Sequence, residues 1–78
     1  MPERLIVAPA VGVFRPRPVA RGARIYEGEV VGHIIGPGTS LPVRSPFGGT
    51  LMGMLAQTGE RLRKGQPVAW LLSRVPTK

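Results

Sequence analysis

Apolar residues in this chain come in short alternating bursts rather than in helical runs. Six segments rich in β-branched and other apolar residues stand out, at positions 5–8, 11–14, 30–35, 41–44, 50–55 and 68–72. Each is closed within a few residues by glycine or proline, the punctuation expected of strands. Eleven glycines and nine prolines in 78 residues leave no room for a long helix. The pattern predicts an all-β sandwich or barrel built from short strands.

The bursts repeat. Sliding the chain along itself by 37 positions superposes Pro9 on Pro46, Gly12 on Gly49, Gly22 on Gly59, Arg24 on Arg61, Gly28 on Gly65 and Val31 on Val68. Ile6 falls on Val43, Phe14 on Leu51, Ile25 on Leu62 and Ile34 on Leu71, with no gap. Four of the six identities are glycine or proline, so what repeats is the set of turns together with the apolar rhythm. One domain over 1–78 is therefore expected, with half-motifs at 6–34 and 43–71 joined by a hairpin over 35–42. Phe14, Val31, Ile34, Leu51, Val68 and Leu71 should form the shared core, with Ile25 and Leu62 pointing inward between two turns. Alternation turns His33 and Trp70 the other way, toward the surface. Gly22, Gly28, Gly59 and Gly65 are placed where a positive φ reverses the chain. Loose ends are expected only at 1–3 and 74–78.

The order Ala-Pro-x-x-Gly, Gly-x5-Gly, strand, hairpin, Ser-Pro-x-x-Gly and Gly-x5-Gly-Gln-Pro-Val resembles the biotinyl/lipoyl-carrier domain, the biotin carboxyl carrier type in particular. The likeness runs over about 6–72 and is tightest at 43–49 and 59–68. It implies a barrel-sandwich hybrid, two four-stranded antiparallel sheets related by a quasi-twofold axis. It also implies a lysine at the hairpin tip, ten residues after the second glycine of the first half and eleven before the glycine of the second Pro-x-x-Gly. Counting from Gly28 and from Gly49 gives the same position, and Gly38 stands there, between Pro37 and Thr39. No lysine precedes Lys64. A glycine offers no amine to acylate, so the resemblance implies the scaffold without its attached group, and no cofactor is expected. Lys64, in a glycine-flanked turn, and Lys78, near the end, lack the hairpin context that the chemistry requires. The span from Leu51 to Gly59 matches that from Phe14 to Gly22, which leaves no space for the protruding thumb loop of some biotin carriers.

Charge adds a second theme. Eleven Lys plus Arg face four Glu and no Asp, for a formal net charge of +7. Such an excess speeds encounters with acidic partners without choosing among protein, nucleotide, nucleic acid and lipid headgroup, and solubility alone is another reason to carry it. Arg15, Arg17, Arg21 and Arg24 cluster in the first half, Arg61, Arg63 and Lys64 in the second. The four aromatics, Phe14, Tyr26, Phe47 and Trp70, are few for a single-strand nucleic-acid binder, which interleaves charge with stacking rings.

Catalysis finds little to use. His33 is the only histidine, there is no Asp or Cys to pair with it, and Ser40 and Ser45 lack an oriented base. One His and four scattered Glu make no closed metal-ligand set. The Gly36-Pro37-Gly38-Thr39-Ser40 tip has no following helix or lysine to make it a phosphate loop. No cysteine is present for a disulfide, no apolar run is long enough for a transmembrane helix, and Glu3 and Arg4 interrupt any leader-like start. A cytoplasmic protein is the simple reading, and peripheral association with a membrane complex has the same signature.

The hairpin carries no charge from Ile34 to Val43. Its apolar residues either complete the domain's own core or present a docking surface to a neighbouring subunit. Ile35, Pro37, Gly38, Thr39 and Leu41, with Arg61 and Arg63, are the candidate interface. The function expected is non-catalytic: a structural or assembly subunit of a larger enzyme complex of the carboxylase or redox kind. A basic module for an acidic ligand or nucleic acid is the alternative, and a carrier modified at another lysine is an outlier.

Overall fold

The computed structural model describes residues 3–73. Eight strands follow one another: β1 (Glu3–Val7), β2 (Gly12–Pro16), β3 (Arg24–Ile25), β4 (Val30–Gly36), β5 (Thr39–Arg44), β6 (Gly49–Met54), β7 (Arg61–Leu62) and β8 (Pro67–Ser73). They form two four-stranded antiparallel sheets, ordered β1-β8-β6-β3 and β5-β4-β2-β7. Among the described residues there is no helix, hence none that could cross a membrane. The architecture is the all-β barrel-sandwich hybrid that the sequence pattern and the resemblance imply.

The six apolar bursts became the six longer strands, with ends moved by a residue or two. The two-residue strands β3 and β7 had no burst to announce them. Glu3, expected in the loose N-terminal end, instead opens β1 and pairs with Leu72. The other expected loose ends, and Lys78 with them, lie outside the described residues.

Alternation explains which side chains meet. Phe14, Ile25, Val31, Leu62, Val68 and Leu71 are fully buried, and Ile34 and Leu51 nearly so, joined by Ile6, Ala8, Val43, Ala56 and Ala69 in one core between the sheets. Burying each large side chain contributes about 1.5–3 kcal/mol, so this single layer supplies most of what holds so short a chain together. His33 and Trp70 are half-buried on the two outer faces.

The halves are interleaved. Phe14 N–H donates to the Glu60 carbonyl at 2.8 Å, and Leu51 N–H donates to the Ala23 carbonyl at 2.9 Å. Gly22 N–H donates to Leu51 O at 2.8 Å, and Gly59 N–H to Phe14 O at 2.9 Å. Ala8 N–H donates to Gln66 O and Ser45 N–H to Glu29 O, at 2.8 and 2.9 Å. Each pair is one bond written twice at the 37-residue offset, and each joins one half to the other. Within a half the β2–β4 or β6–β8 ladder closes, but these six bonds need the other half, so the two fold as a unit. Gly22, Gly28, Gly59 and Gly65 take positive φ of 89°, 86°, 82° and 87°, as their placement at the reversals requires.

One break in the symmetry matters. The register of β6 against β8 shifts between Leu51 and Gly53, so Trp70 faces Gly53 while Met52 bulges. No such shift occurs between β2 and β4, where His33 faces Arg15.

Candidate functional site at the hairpin end

The β4–β5 hairpin turns on Pro37 and Gly38. Proline at the first corner fixes φ and Gly38 takes a φ of 67° at the second, the residue pair that a type II turn demands. Register Gly36↔Thr39 and Ile35↔Ser40 confirms a two-residue loop. Gly38 is exposed, and a Cβ placed on it meets nothing within 4 Å. The tip therefore projects freely.

The uncharged hairpin divides its labour. Ile34 and Val43 belong to the core, Ile35 and Pro42 are half-buried, and Pro37, Thr39 and Leu41 are exposed. Part of it completes the fold and part is presented to solvent.

Beside the hairpin's turn a groove of about 310 Å³ is lined by Val11, Gly12, Val13, Ile35, Gly36, Pro37 and Arg61. Strand pairing creates it. Val13 lies between Ile35 on β4 and Arg61 on β7, all three on one outer face. Gly12 makes the floor: a Cβ there would stand 2.5 Å from Ile34 Cγ2 and 2.7 Å from the Ile35 carbonyl oxygen, so no larger residue fits. Val11 and Val13 remain 58% and 38% exposed, so the groove has an apolar wall open to solvent.

Of the expected interface residues, the structure brings Ile35, Pro37 and Arg61 together at this groove. Gly38, Thr39 and Leu41 sit further along the hairpin. Arg63 lies in the turn after β7, where its amide donates to Gln66 Oε1 at 3.0 Å and its side chain is exposed. Val11 and Val13 are additional members. With Gly12 and Phe14 inward, alternation turns both valines outward, and that signal was readable in the sequence.

Electrostatically the groove's sheet is one-sided. Arg15, Arg44 and Arg61 project from its strands, each beside a buried residue, and Arg17 follows the end of β2. The Arg17 Nη1 donates to the Val30 carbonyl at 3.2 Å and the Arg44 Nη1 to the Gly28 carbonyl at 2.9 Å. Among the described residues no carboxylate pairs with Arg15 or Arg61. Two of the glutamates are occupied locally, Glu29 accepting from Tyr26 N–H at 2.8 Å and Glu60 from Gln57 N–H at 2.9 Å.

Comparison with known proteins finds likeness in structure only: no protein-family model and no curated protein matches the chain. Among solved structures, the urea carboxylase of Kluyveromyces lactis aligns with a TM-score of 0.81 at 23% identity, over 92% of this chain and 6% of its own. A single-chain, multi-domain long-chain acyl-CoA carboxylase aligns with a TM-score of 0.79 at 16% identity, over 96% of this chain and 7% of its own. Identities this low establish a shared fold. The chain corresponds to a small part of each of those much longer chains.

Proposed function

We propose that this chain is a biotinyl/lipoyl-type scaffold without its attachment lysine, and that it serves as a structural or assembly part of a larger multi-subunit enzyme complex through protein–protein contacts. The observation that carries the reading is Gly38 at the freely projecting tip. In the domain that the chain resembles, the tip carries the acylated lysine; here it carries no side chain at all. The two carboxylases that share the fold give the reading its context, since each holds such a unit as a few per cent of a long chain.

The scaffold without the amine still has a use. A projecting hairpin with Pro37 and Leu41 exposed, next to an apolar groove, can seat against a neighbouring subunit. No step of bond chemistry is assigned to the chain: His33 lies across from Arg15 and Pro42, with no carboxylate in its row to orient it as a base.

Intact-mass measurement on protein purified from its own host tests the loss of attachment. The unmodified mass is expected, and a biotinyl or lipoyl adduct overturns it. Size-exclusion chromatography of native lysate at low salt tests assembly. Elution in a larger complex is expected, and elution alone at about the 8.4 kDa of the chain counts against it.

A further inference from the structure

We propose that the outer face of the β5-β4-β2-β7 sheet docks an acidic segment of a partner protein, with one apolar side chain of that segment seated in the groove beside Arg61.

Two cross-strand rows define the face. The first runs Ser40–Ile35–Val13–Arg61, and the second Pro42–His33–Arg15. The first row ends on a guanidinium after two apolar residues, and the second places Arg15 directly beside His33. Arg17 and Arg44 extend the positive charge on the same face, fixed in place by their bonds to the Val30 and Gly28 carbonyls. Fixed guanidinium groups lose less side-chain entropy on meeting a carboxylate than free ones.

The internal repeat supplies a control, because the opposite sheet has matching rows. There Glu3–Leu72–Thr50–Arg24 corresponds to the first row, and Leu5–Trp70–Gly53 to the second. Gly53 stands where Arg15 does, Trp70 where His33 does, and Val7 occupies the repeat position of Arg44. The same scaffold is thus built without those positive charges, and the fold does not require them on the groove side.

An acidic protein segment fits better than a nucleic acid. All four aromatic rings lie elsewhere: Phe14 in the core, Trp70 on the other sheet, Tyr26 under Arg24 at 5.4 Å and Phe47 under Arg4 at 4.9 Å. The only ring on the basic face is the His33 imidazole, too little for interleaved base stacking, and the face offers an apolar groove that a phosphate backbone has no use for. The inference does not depend on whether the hairpin carries a prosthetic group, so an adduct found by intact mass leaves it standing.

The test is amide chemical-shift mapping on the ¹⁵N-labelled full chain at physiological salt. The probe is a synthetic peptide with one leucine followed by four glutamates; a leucine-and-lysine peptide and a ten-nucleotide oligo(dT) serve for comparison. Shifts confined to Val11, Val13, Arg15, His33, Ile35 and Arg61 are expected with the acidic peptide. Arg61→Glu is expected to weaken binding roughly tenfold, and Arg24→Glu, the same charge change at the repeat-related position, less than twofold. Shifts spread over both sheets, or equal losses in the two variants, reduce the attraction to net charge and overturn the proposal. No shifts with the acidic peptide, or tighter binding of oligo(dT) than of the peptide at the same salt, also overturn it.

Discussion

Glu29 and Gln66, one in each half of the repeat, make the same hydrogen bond. Glu29 Oε1 accepts from the Tyr26 amide at 2.8 Å, and Gln66 Oε1 accepts from the Arg63 amide at 3.0 Å. Each side chain reaches back three residues to close the turn that ends in Gly28 or Gly65. The turn needs an oxygen acceptor there and is indifferent to whether that oxygen bears a charge.

Glu29→Gln should therefore be close to neutral, within about 0.5 kcal/mol, because the amide reproduces the bond that Gln66 already makes. Glu29→Ala should cost about 1 kcal/mol by leaving the Tyr26 amide to water. Urea unfolding followed by Trp70 fluorescence separates the two. Equal losses for Gln and Ala would mean that the carboxylate charge, not the acceptor, stabilises the turn.

Two glycines of the second half are held for different reasons, which mutation should resolve. A Cβ on Gly49 runs into the Leu72 carbonyl oxygen across the β6–β8 ladder, whereas a Cβ on Gly59 meets nothing within 4 Å. Gly59 is constrained only by its φ of 82°. Gly59→Ala should cost about 1–2 kcal/mol, the penalty of a left-handed alanine. Gly49→Ala should cost more, roughly 2–3 kcal/mol or loss of folding, since backbone must move. Thermal melts of the two variants test the order, and a more stable Gly49→Ala would refute the close approach.

Ser45 is the buried polar residue of the Ser45-Pro46-Phe47 turn, its Oγ donating to the Phe47 carbonyl at 2.6 Å. Ala8 holds the repeat-related position with no such bond and is equally buried. Ser45→Ala should cost about 1 kcal/mol and leave the turn intact, since the other half already builds it with alanine. A loss several times larger, read by urea unfolding, would show that the two corners are not equivalent.

Much of the fold was legible because its code is local. Alternation assigned the core from Phe14 through Leu71, and the repeated glycines located the reversals. Strands β3 and β7 were not legible as strands: alternation needs more than two residues to show, although their inward members Ile25 and Leu62 were identifiable. The bulge at Met52 was also hidden, because the repeat itself predicts equal registers in both sheets. Its consequence is that Trp70 faces Gly53 instead of Met52, whereas the unshifted sheet sets His33 beside Arg15. At the hairpin the sequence offered a core role or a docking role, and the structure shows which residues are buried and which are exposed. The groove was half-seen. Ile35, Pro37 and Arg61 were chosen from the hairpin and the charge, but Val13 lies on β2 and Val11 just before it, a segment distant in sequence that only sheet pairing brings alongside.

The hairpin register itself admits a direct test. If position 38 corresponds to the acylated lysine of carrier domains, then Pro37→Met, Gly38→Lys and Thr39→Met together should turn the tip into a substrate for a biotin ligase. Nothing surrounds the Gly38 α-carbon, so a lysine there meets no clash. The φ of 67° is the only obstacle, with a cost of about 1–2 kcal/mol that a two-residue loop can relieve by changing its turn type. The triple variant should stay folded, melt a few degrees lower, and gain one biotinyl group by intact mass when incubated with ligase, ATP and biotin. Gly36→Lys, two residues earlier at the end of β4, should stay unlabelled, because that site lies in the ladder and a Cβ there would press on Thr39 Oγ1 at 2.9 Å. A folded triple variant that takes no label would mean that Gly38 is not the acceptor position, and that the likeness to a carrier stops at the scaffold.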